Sequence, residues 1–63
     1  MSLAYWEEAL KQRAEGDTLC GLAVTTDDIG RKADLADLAS RHYAIAARFE
    51  ELHFHQLTGE QPQ

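Results

Sequence analysis

The 63-residue sequence contains one cysteine, one proline, and six lysines and arginines against eleven aspartates and glutamates, for a formal charge of −5. Each scarcity excludes a class of protein. A lone thiol at Cys20 forms no intrachain disulfide and opens no paired-cysteine zinc site. The shortage of basic residues argues against a surface that tracks phosphates, because such a surface clusters lysine and arginine to release counterions. Long apolar runs are missing too. Residues 22–24, with Leu19 and Cys20 just before, and residues 44–47 fall far short of the ~18–20 residues that cross a bilayer. Glu7 and Glu8 stand where a secretory leader would carry a basic region and an apolar stretch, so no leader is expected, and a free thiol suits a reducing cytosol. Gly16 and Gly21 lie five apart with no Gly-Lys-Ser/Thr following, which excludes a phosphate-cradling loop.

Length imposes a further requirement. A chain of this size buries only about 60% of its unfolded surface, and cores below roughly 70–80 residues rarely supply more than ~3–5 kcal/mol without a staple. With disulfides excluded, self-association or docking on a larger partner is the expected source of stability.

What is present is helical patterning, and the expected fold class is all-α. Ser2 is placed to cap a first helix over about residues 3–15, in which Leu3, Trp6 and Leu10 form an apolar stripe, Glu7 precedes Lys11 by four, and Gly16 reads as the stop. Residues 17–26, with apolar Leu19, Cys20, Leu22, Ala23 and Val24 around Gly21, read as an extended connector or a short strand. Thr25 followed by Asp28 resembles a capping box, so a second helix is expected from near Thr26, with Gly30 disturbing its first turn. From Ala33 onward, Leu35, Leu38, His42, Ile45, Phe49, Leu52 and Gln56 follow a heptad seam, widened by Ala36, Tyr43 and Leu57 on one side and by Ala39, Ala46 and His53 on the other. Thr58 and Gly59 end the helix, making residues 1–59 a single domain and residues 60–63 an expected disordered tail.

These lengths predict a homodimer. A helix over residues 26–57 would run ~48 Å, against ~20 Å for the first, so half of the seam would stay uncovered. A second copy, its long helix antiparallel about a twofold axis, would cover it through Leu35, Leu38, His42, Ile45, Phe49 and Leu52. Ala36, Ala39, Ala46 and Ala47 would let neighbouring helices approach closely in a four-helix bundle.

Residue types that carry chemistry are present but poorly spaced. His53 and His55 are about 200° apart on a helix and do not share an ion, although Glu51 with His55 and Glu50 with His53 have workable spacing. His42 reads as a polar seam residue that fixes register across the dimer. Cys20 reads as a small core residue, and a chain this small has little room for a catalytic pocket. Asp27 with Asp28 and Glu50 with Glu51 are adjacent pairs and lack the facing geometry of acid–base catalysis. No enzyme, cofactor or metal site is expected.

Residues 28–41 resemble a helix-turn-helix register, with Ile29 and Gly30 at its apolar and small positions. Asp34, however, stands where the turn favours glycine, and Ser40 where the recognition helix buries an aliphatic residue. One continuous helix explains the segment better. The expected function is therefore binding: a cytoplasmic, homodimeric adaptor or inhibitor that modulates a larger and preferably basic protein, such as a transcriptional regulator, of the kind mobile elements and phages encode. Tyr5, Trp6 and Phe54 are the candidate contacts, since exposed aromatics are enriched in hot spots. A DNA-binding regulator and a structural subunit of a phage or secretion assembly are the alternatives.

Overall fold

Asp28 marks the start of the second helix. Its side chain accepts a hydrogen bond from the backbone N–H of Arg31 at 2.9 Å, satisfying one of the donors that every helix start leaves open. The cap thus lies two residues beyond the expected start at Thr26. The Thr26 hydroxyl accepts instead from the N–H of Asp28 (3.3 Å), and the Thr25 hydroxyl donates back to the carbonyl of Leu22 (3.1 Å), so Thr25 closes the preceding helix and caps nothing ahead of it. At the far end Gly59 adopts φ 75°, the left-handed conformation that stops a helix, as its position after Thr58 predicts.

A computed structural model describes residues 2–59, and the expected tail at residues 60–63 lies outside the described residues. It contains α1 (Ala4–Thr25) and α2 (Ile29–Thr58), which pack antiparallel against each other as a helical hairpin measuring 47 × 20 × 10 Å. Among the described residues, no helix is long and apolar enough to cross a membrane.

The first helix differs from expectation. It runs 22 residues, straight through Gly16 and Gly21, and residues 17–25 that read as extended connector are its last turns. Only residues 26–28 join the helices. Intrinsic preference alone does not favour helix here, since glycine, threonine, aspartate and valine all lie low on that scale. Packing overrides it: Gly16 and Ala23 are buried against α2, and Tyr43 of α2 reaches Asp17 and Cys20. The mismatch in helix length largely disappears, and helix length no longer argues for a dimer.

The buried stripe also lies elsewhere than expected. On α1 it is Ala9, Gly16 and Ala23, and on α2 it is Ala39, Ala46 and His53, each set at heptad spacing. Leu3, Trp6 and Leu10, expected to be the inner stripe of the first helix, are all exposed. Apart from His53, the residues of this stripe are alanines and a glycine, and side chains this small allow close approach. At Gly16, an added Cβ would sit 2.7 Å from the Tyr43 ring, closer than real side chains pack. Gly16 is therefore a contact residue within a helix rather than its terminator.

The two α1 glycines differ in a way that can be measured. At Gly21 an added Cβ meets none of the described residues within 4 Å, so Gly21→Ala is expected to stabilise by about 0.5–1 kcal/mol, a few degrees in Tm. Gly16→Ala carries the same gain, but overpacking against Tyr43 costs about 1–3 kcal/mol and should lower Tm. Thermal unfolding followed by far-UV circular dichroism reads both, and a Gly16→Ala protein as stable as Gly21→Ala would refute the close contact.

Candidate interaction surface

A hairpin held through small residues has two broad faces, and the helical spacing sorts the remaining side chains onto them. At about 100° per residue, Leu35, Leu38, His42, Ile45, Phe49 and Leu52 all fall about 40–100° to one side of the buried stripe of α2. The contacts agree. Tyr5 of α1 meets Phe49 with ring centroids 6.1 Å apart, and a shallow groove of about 280 Å³ on the same face is lined by Glu15, Thr18, Leu19, Leu38 and His42. Leu38 and Ile45 are each 43% exposed and Leu22 48%, while Leu35, Phe49 and Leu52 are half-buried. The six seam residues therefore share one face of the hairpin beside its core, where α1 covers them only in part.

Near the middle of this face lies a polar chain. Gln12 donates through its amide to Glu8 (3.2 Å), leaving its carbonyl oxygen to accept from His42 Nδ1 at 2.7 Å, with Glu15 Oε2 3.4 Å from the same nitrogen. His42, expected to bond across a dimer, thus already has partners on α1 of its own chain. A hydrogen-bonded polar group at a hydrophobic seam fixes the alignment of the two helices, because sliding them would leave it unsatisfied.

The opposite face is organised differently. Arg13 pairs with Glu50, which takes Glu50 away from the spacing that could have joined it to His53. Further along, the Tyr43 hydroxyl donates to Asp17 at 2.5 Å with Cys20 Sγ 3.5 Å away, and the hydrogen bond to the Asp17 carboxylate pushes the Tyr43 phenol well above its ordinary range. Tyr43 therefore stays a donor that ties the two helices together, and Cys20 is a half-buried member of that clasp.

At the open end, where α1 begins and α2 ends, the Trp6 ring packs tilted against His53 (centroids 5.4 Å apart) and His53 against Phe54 (5.9 Å). His53 is only 7% exposed and its Nδ1 has no hydrogen-bond partner among the described residues, while Trp6 is 37% and Phe54 54% exposed. Trp6 and Phe54 thus form one aromatic patch on His53. Tyr5, grouped with them by sequence, belongs instead with Phe49 on the seam face. His55 lies 3.8 Å from Glu51, as their spacing allows, and the described residues hold no group of three or more histidine, cysteine or acidic side chains suited to a shared ion.

Sequence reasoning missed three of these features: the inward position of Gly16, the Tyr43 clasp and the role of His53 as a platform. The first had a visible signal, since residues 9, 16 and 23 repeat at the same interval as residues 39, 46 and 53. Compared with known proteins, the chain matches no family model, no curated protein and no solved structure.

The Tyr43 clasp has a distinct titration. In a Tyr5→Phe background, phenolate absorbance should rise only above the ordinary tyrosine value of 10.0, and Asp17→Asn should bring its midpoint down. Because the folded-state value is the raised one, the clasp contributes fully below the unfolded tyrosine value and is lost as pH climbs through the folded one. An unchanged midpoint in Asp17→Asn would show that the hydrogen bond does not hold in solution.

Proposed function

We propose that this chain is a small, acidic, non-enzymatic protein–protein interaction module, a cytosolic homodimer that acts as an adaptor or inhibitor on a larger protein such as a transcriptional regulator. One observation carries this reading: the hairpin buries alanines, a glycine and a histidine, and leaves large apolar side chains exposed on both faces. No large side chain among the described residues is fully buried. Soluble proteins seldom expose so much apolar surface unless it is an interface.

The two faces divide the work. The seam face, with Leu35, Leu38, His42, Ile45, Phe49 and Leu52, suits a second copy, and the Trp6–Phe54 patch on the other face stays free for a different protein. Aromatic side chains in such patches commonly dominate binding energy. A charge of −5 would steer encounter toward a basic partner. A helix-turn-helix regulator is less well supported, since Asp34 and its neighbours lie within one uninterrupted helix where that motif requires a turn.

Sedimentation equilibrium at micromolar concentration is expected to return twice the chain mass of 7.1 kDa. A partner captured from host lysate in stoichiometric amount should be lost, with binding weakened at least about tenfold, in Trp6→Ala or Phe54→Ala while the sedimentation mass stays the same. Ordered higher oligomers would point to a structural subunit instead, and a monomer with no captured partner would refute the proposal.

A further inference from the structure

We infer that the seam face pairs with a second copy in one particular arrangement, the two α2 helices antiparallel about a twofold axis that passes between Tyr43 and Ala44. This rests on the homodimer proposed above and specifies its geometry. The carrying observation is a symmetry in the seam. Leu35, Leu38, His42, Ile45, Phe49 and Leu52 are separated by 3, 4, 3, 4 and 3 residues, which reads the same in both directions. Antiparallel pairing about the centre of that series places Leu35 opposite the second copy's Leu52, Leu38 opposite its Phe49, and His42 opposite its Ile45. Each apolar position except Ile45 meets another apolar position. A twofold interface requires self-complementarity of this kind, with residue i meeting j and j meeting i.

Shape and area favour the same occupant. The groove lined by Glu15, Thr18, Leu19, Leu38 and His42 lies where the second copy's Ile45 arrives, and Ile45 is an exposed aliphatic side chain suited to fill it. The hairpin's broad face, 47 Å by 20 Å, projects about 900 Å², against the roughly 800 Å² per partner that a stable interface buries. The acidic side chains Glu8 and Glu15 on this face are oriented by contacts within their own chain, Glu8 by the Gln12 amide and Glu15 beside His42 Nδ1. His42 Nδ1 is held by Gln12 and Glu15 of its own chain at the place where the second copy's Ile45 arrives.

The test uses the unaltered protein and then a disulfide trap. In a sample mixing isotope-labelled with unlabelled chains, intermolecular NOEs are expected from the Ile45 methyls to Leu38 and Leu19. In a Cys20→Ser background, chains carrying Leu38→Cys mixed with chains carrying Phe49→Cys should oxidise to a covalent dimer, whereas either one alone should not. In this arrangement position 38 of one copy and position 38 of the other are offset by about 16 Å along the helix axes, as are the two copies of position 49, beyond the reach of a disulfide. A dimer by sedimentation that lacks these NOEs, or in which Leu38→Cys alone cross-links, overturns the arrangement and leaves the dimer standing. A monomer by sedimentation overturns both.

Discussion

The contact on which the rest of this structure depends is the close approach of two helices through small residues. Ala9, Gly16 and Ala23 face Ala39, Ala46 and His53 across the hairpin, and at Gly16 there is no space for even one more carbon beside the Tyr43 ring. Leucines at these positions would hold the helix axes farther apart, in the usual range of about 8–10 Å. With small residues there, the backbones approach, and side chains on the neighbouring positions can reach across: Gln12 to His42, Arg13 to Glu50, Asp17 to Tyr43. Those polar ties are individually modest, but they are directional and specify one register of the hairpin.

The same contact explains the exposed apolar surface. Large side chains excluded from the central stripe flank it on both sides, and a two-helix layer has nothing to cover either flank. Burial of a few methyl groups contributes about 0.8 kcal/mol each, which is little against the entropy of ordering two long helices. A hairpin of this design therefore gains most by placing its flanks against other protein. The functional proposal follows from that physical need, and the separation of an aliphatic face from an aromatic end offers two unlike surfaces for two unlike partners.

Much of the architecture was legible in the chain. The long helix was readable from Leu35 onward because its apolar residues repeat at heptad spacing, and its end was readable from Gly59. The end of the first helix is not legible, because Gly16 reads as a stop and residues 17–26 as an extended connector, whereas Gly16 lies within the helix to make room for an aromatic ring of α2. Tyr5 and Trp6 are neighbours in sequence, yet the helix turns them to opposite faces of the hairpin, one to Phe49 and the other to His53. Periodicity places the two on neighbouring faces of one helix and does not say which partners they meet.

By itself the sequence determined the helical class, the acidic surface, the lack of a disulfide and the residues of the long seam, because these follow from composition and from spacing along one helix. Tertiary structure decided which stripe faces inward, where the first helix ends, and which side chains remain uncovered. Those outcomes depend on how closely two helices can approach, and that distance is set jointly by residues far apart in the chain, so neither helix's pattern contains it alone.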